Sequence, residues 1–203
     1  MELHELWTPK RRSFPSKTTN ISRGKGIEYA IKALPSVLKH NPGILYLVIG
    51  ETHPEVRKKE GEEYRKELID LVYSLGLERN VKFENRFLRK SELTRYLQAT
   101  DIYLLPYRNR DQICSGTLAY ALSTGKVIIS TPFPHAREVI SKGCAVEYKF
   151  DDQDSISECI TKLLEDDKKK RELEERSYEY SRNMIWPNIA MVHVNLYNKI
   201  LGR

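Results

Sequence analysis

Two short stretches carry residues of the right type and spacing to hold an anion. One is Ser22, Arg23, Gly24, Lys25 and Gly26, ahead of a helical pattern; the other is Ser115, Gly116 and Thr117, opening a second. Glycine lets backbone approach a ligand, lysine adds a point charge, and the free N–H groups at a helix start favour a phosphate. A single loop of this kind reads first as a tight turn with a polar cap, and two of them on one rim bring the anion reading level with it. His53 and His135 each follow an apolar run and are expected on the same rim. No carboxylate or thiolate completes a metal-ligand set with them at recognisable spacing, so neither a metal nor a cofactor is expected. His135 is instead expected to cap its helix or to meet a phosphate oxygen. Cys114, beside Ser115, reads as a loop thiol. With Cys144 and Cys159 it makes an odd count without framework spacing, which fits free thiols in a reducing cytoplasm. Neither a G-x-G-x-x-G fingerprint nor a Walker loop occurs.

Alternating strands and helices must position these residues. Residues 26–40 predict a helix, with Ile27, Ala30, Ile31, Leu34 and Leu38 on one face. Residues 44–49 are apolar on both faces, as a central parallel strand requires. A second helix carries Tyr64, Leu68, Leu71, Val72 and Leu75 and stops at Gly76. A strand at 80–83 and a helix capped by Ser91 follow. Then come a strand at 102–105, a helix at 115–123, a strand at 127–130, a helix at 135–141 and a strand at 145–148. Asp154 is read as the cap of a helix at 155–164, and residues 167–201 as helical with a break at Trp186 and Pro187. The pattern predicts an α/β fold: a doubly wound parallel sheet, Rossmann-like, with ligands at the carboxyl ends of its strands. The opening strand has only residues 17–22 as a candidate, which are poor in apolar side chains.

At 203 residues, 40% of them hydrophobic, the chain has room for one domain with a core. No apolar run approaches the roughly eighteen residues of a membrane span. The N-terminus lacks the basic-then-apolar order of a secretory signal, so a cytoplasmic location is expected. Half of the net charge of +6 sits in residues 1–24, on Lys10, Arg11, Arg12, Lys17 and Arg23 against Glu2 and Glu5. Residues 1–15 are therefore read as a basic arm and residues 16–203 as the domain. A basic leader on a near-balanced domain argues against a nucleic-acid partner. The run Lys168, Lys169, Lys170 and Arg171, followed by Glu172, Glu174 and Glu175, reads as a solvated helix face.

Several segments resemble group 1 (family 4) glycosyltransferases. Lys25, Gly26, Ile27 and Glu28 are similar to that family's "KG" motif. So are 44–50, Leu75, Gly76 and Leu77 followed by 80–83, then 99–106 and 125–131. The stretches 115–122 and 132–136 resemble a mostly prokaryotic subgroup, and the likeness runs from about residue 21 to 197. The resemblance implies the donor-binding, C-terminal lobe of a two-lobed GT-B enzyme. It implies a nucleotide-sugar donor and a separate acceptor domain, the chain being inactive by itself. It also implies that Lys25 contacts the donor diphosphate, for which the start of the 115–122 helix is the second anion site read from the residues. The family arginine five residues before that lysine is Asn20 here, with Arg23 as its stand-in. Counting back from Gly125, the family's two glutamates fall on Gln112, beside the sugar in a catalytic position, and Tyr120, at the ribose. Both carboxylates are thus absent. Arg86 and Phe87 occupy the loop that holds the base. The alternative is a catalytically inactive, diverged fragment that self-associates or acts as a scaffold.

Overall fold

The structure is a computed structural model and describes residues 13–202. Six strands and nine helices are assigned among these residues. Strand β1 is Ser13–Ile21, followed by a 3-10 turn at Arg23–Lys25 and helix α1 at Ile27–Leu38. Strand β2 (Leu45–Thr52) precedes α2 (Pro54–Glu60) and α3 (Glu63–Ser74). Strand β3 (Val81–Glu84) leads to α4 (Lys90–Gln98), and β4 (Ile102–Leu105) to α5 (Gly116–Ser123). Strand β5 (Val127–Ser130) leads to α6 (Pro134–Ser141), and β6 (Val146–Glu147) to α7 (Gln153–Glu165). Helices α8 (Asp167–Arg182) and α9 (Trp186–Ile200) close the chain.

All strand pairs are parallel, in two sheets ordered β1-β2-β3 and β4-β5-β6. β1 lies against β4, so the succession across the molecule is β3-β2-β1-β4-β5-β6. That is the order of a dinucleotide-type doubly wound fold, with its topological switch point between β1 and β4. Alternation along the central strands splits the core into two layers, as the strand period of two requires. Ile102 and Leu104 of β4, with Val127 and Ile129 of β5, pack with α1, α3 and α7. Tyr103, Leu105 and Ile128 pack with α4, α5 and α6 on the other face.

Several boundaries differ from the sequence reading. Strand β1 starts at Ser13, so Ser13, Phe14 and Pro15 pair with β2 rather than belonging to an arm. The rest of the expected arm, 1–12, lies outside the described residues. The register of β1 shifts between Lys17 and Asn20, an irregularity that breaks any simple alternation. Asp152, not Asp154, caps α7, accepting from the Ser155 N–H at 2.9 Å. Ser91 lies inside α4, whose N-cap is Arg89. The break near Trp186 falls just before it, and Trp186 and Pro187 open α9.

Candidate functional site

The loops after β1 and β4 meet at the switch point. In the first, the Lys25 N–H donates to the Ser22 carbonyl at 2.9 Å and the turn ends at Gly26, left-handed at φ 62°. The second crosses directly over it. The Arg108 N–H donates to the Gly24 carbonyl at 3.0 Å. A Cβ on Gly26 would lie 2.0 Å from the Pro106 carbonyl oxygen, so only glycine permits this approach. The Arg108 side chain adds an ion pair to Asp151 at 2.7 Å and reaches Glu28 at 3.6 Å.

The start of α5 is built from hydroxyls. Ser115 is its N-cap and accepts the Leu118 N–H at 3.3 Å. Tyr107 Oη lies 3.1 Å from Thr117 Oγ1 and 3.4 Å from Ser115 Oγ, and the latter two are 3.2 Å apart. Tyr103, fully buried below them, also bonds Thr117, and burial pushes its hydroxyl well above the usual tyrosine value. The N–H groups of Gly116 and Thr117 remain at the helix start, where an anion is favoured.

Lys25 faces this helix start. Its Nζ lies 3.8 Å from the centre of the Tyr107 ring, which stacks on Phe133 at 5.1 Å. Lys25, Gln112, Ser115, Gly116, Thr117 and Tyr120 share a cavity of about 220 Å³ with Tyr107 and Cys114. That is below the range of about 300–1,000 Å³ typical of drug-sized ligands, and it suits a diphosphate better than a whole nucleotide. Among the described residues no carboxylate lines it. Gly116 and Tyr120 also border a larger groove of about 880 Å³ running to Lys90, Arg182 and Trp186.

Six of the residues expected to act together are therefore brought together: Lys25, Gln112, Ser115, Gly116, Thr117 and Tyr120. Gln112 is tied into its own loop, donating from Nε2 to the Cys114 carbonyl at 2.5 Å. Arg23 is not brought to this cavity. Its guanidinium grips Glu67 with two bonds of 2.6 and 2.7 Å and Glu60 with one of 3.1 Å. Those contacts, Glu67 first, raise its pKa further. Arg86 is likewise held by Glu92 at 2.6 Å and Glu84 at 2.7 Å, while Phe87 is 66% exposed on the same loop. His53 is a helix cap, its Nδ1 accepting the Glu55 N–H at 3.2 Å. Among the described residues no group of three or more His, Cys, Asp or Glu side chains is placed to hold a metal.

His135 serves the site indirectly. Its Nδ1 accepts the Ser115 N–H at 3.1 Å, which requires a neutral ring with its proton on Nε2. Burial lowers its pKa from the ordinary 6.5, with Glu138 opposing. Between that lowered value and 6.5 the unfolded chain holds the extra proton, so stability rises with pH through the window. The contribution is complete above pH 6.5 and is lost as pH falls through the window. His135→Asn keeps an acceptor without the titration. Its melting temperature, measured against pH, should fall less steeply below pH 6.5 than that of the parent.

Sequence reasoning assigns no individual role to Tyr107 or Arg108. Both directly follow the proline that ends β4, at the switch point, and an aromatic residue in an otherwise polar loop was the available signal.

Residues 17–181 match the family described as glycosyl transferases group 1. The chain belongs to that family. As a glycosyl transferase domain it shares its fold with several solved structures. The C-terminal domain of the group 1 glycosyl transferase LpcC from Francisella tularensis aligns with a TM-score of 0.71 and 20% identity, over 83% of each chain. HepE from Anabaena, solved with UDP, gives 0.80 and 16%, over 98% of this chain and 51% of its own. Sucrose-phosphate synthase from Thermosynechococcus elongatus gives 0.80 and 19%, over 98% of this chain and 48% of its own. This domain thus spans about half the length of the latter two proteins. No curated protein matches it in sequence. No helix among the described residues is long and apolar enough to cross a membrane.

Proposed function

We propose that this domain binds the diphosphate of a nucleotide-sugar donor and presents the sugar for transfer to an acceptor held by a second lobe. The cavity carries the reading: it joins one lysine to a helix start, and among the described residues no carboxylate lines it. Those are the groups that neutralise a diphosphate, both when the donor is bound and when negative charge grows on the leaving group. HepE has been solved with UDP-glucose, and the same ligand class is proposed here. Gln112 and Tyr120 supply hydrogen bonds but no charge. Their part is therefore to orient the sugar and ribose rather than to stabilise a cation.

The second lobe is proposed from α9. None of its residues is buried, although Trp186, Val192, Tyr197 and Ile200 are large and apolar. A helix apolar on so many sides needs a cover. Self-association would supply one too, and light scattering across a concentration series separates them: a monomer favours an acceptor lobe.

Calorimetric titration with UDP, GDP and their sugars tests the donor reading. A charge-assisted contact contributes about 1.5–3 kcal/mol, so Lys25→Ala should weaken binding roughly tenfold or more. Lys168→Ala, at a residue outside the cavity, should not. If none of these nucleotides binds at millimolar concentration, the reading is wrong.

A further inference from the structure

Lys25 ends on the face of an aromatic ring. Among the described residues no carboxylate pairs with it, and its ammonium sits 3.8 Å from the Tyr107 ring centre. A lysine stem is flexible and its charge strongly hydrated, so an unpaired lysine ordinarily samples many rotamers. Here the ring that receives it is itself fixed. Tyr107 is 3% exposed and stacks on the fully buried Phe133 with 24° between the planes. Its carbonyl accepts from Thr131 Oγ1 at 2.7 Å. Its hydroxyl lies between Ser115 and Thr117 at the start of α5.

One side chain therefore touches both anion-binding elements. The Lys25 loop follows β1 and the Ser115 helix follows β4, on the two sides of the switch point. We propose that Tyr107 is a positioning residue of the diphosphate site, its ring face seating the Lys25 ammonium and its hydroxyl setting the Ser115 and Thr117 hydroxyls. The attraction between the ring face and a cation holds the charge where the anion arrives, and less ordering remains to be done on binding. Tyr107 touches no ligand in this scheme and acts through its neighbours. The ligand named rests on the nucleotide-sugar reading above; the seat itself does not.

The seat can be read without ligand. Protons on Lys25 Cε, held over a ring, should resonate upfield of other lysines in a carbon-labelled sample, the signal being assigned by its loss in Lys25→Arg. That shift should persist in Tyr107→Phe and vanish in Tyr107→Leu. Titration with UDP gives the functional half. The step from Tyr107→Phe to Tyr107→Leu removes the ring alone and should weaken UDP about three- to tenfold. In a Lys25→Ala background the same step should cost less than twofold, because the two residues act as one unit. An unshifted Lys25 in the parent protein overturns the seat, as does an equal Phe-to-Leu step in both backgrounds. If Tyr107→Leu does not fold, Tyr107→Phe still decides, since loss of the shift there refutes a ring-borne seat. A shifted Lys25 in a protein that binds no nucleotide upholds the seat and overturns the donor reading.

Discussion

Gly26→Ala should lower the melting temperature by roughly 10 °C and abolish nucleotide binding. Two costs combine. The backbone at Gly26 is left-handed, which costs a residue with a Cβ about 1–2 kcal/mol. The new methyl would also sit 2.0 Å from the Pro106 carbonyl oxygen, with Arg108 Cγ at 3.1 Å. A backbone oxygen cannot rotate away as a side chain can. The loops must part, and the Arg108-to-Gly24 hydrogen bond between them is strained or lost. Together these amount to about 3 kcal/mol or more, and each kcal/mol moves the melting temperature of a domain this size by about 2–4 °C. Gly24→Ala is the control, because a Cβ there meets nothing within 4 Å and its backbone is not left-handed. Thermal melts of the two variants should differ widely. Near-identical melts would mean that the loops do not pack as described.

The contrast between these two glycines shows what the sequence could and could not reveal. Strands β4 and β5 were legible to the residue, because four successive buried apolar side chains in the one, and three ahead of a buried serine in the other, leave no other reading. Strand β1 was legible only in part. Its residues are largely polar, and its place comes from backbone pairing with β2, a partner more than thirty positions away. The caps of α4 and α7 were missed by two residues each, since Ser91 and Asp154 are as good caps in isolation as the positions used. At the site, Lys25 and the Ser115 helix start could be found, because local chemistry marks them. Arg23 could not be placed: its fate depends on Glu60 and Glu67, brought round by α2 and α3, and nothing near it in sequence announces them. Tyr107 was hidden for the same reason. Its value lies in what its two ends touch, and those contacts exist only after β1 and β4 lie side by side.

The support beneath that tyrosine gives the second large effect. Phe133→Ala should destabilise the domain by about 3–5 kcal/mol, the range for emptying a buried aromatic site. Phe133 is fully buried within the layer formed by α4, α5 and α6, and its ring carries Tyr107. Denaturant unfolding should show a lower midpoint with an unchanged slope, since the cavity alters stability rather than the surface exposed on unfolding. A loss below about 1 kcal/mol would mean that the site collapses freely, which close packing on both sides opposes. The variant should also bind UDP more weakly at temperatures where it remains folded. Removing the ring leaves Tyr107 without its stacking partner, and both the ammonium seat and the hydroxyl cluster follow it. Phe133→Leu keeps most of the volume and should cost about 1.5 kcal/mol or less, yet it too removes the stacking face. If the leucine variant recovers stability but not affinity, the ring is needed for aim as well as for filling. If both recover together, Phe133 supports the site by volume alone.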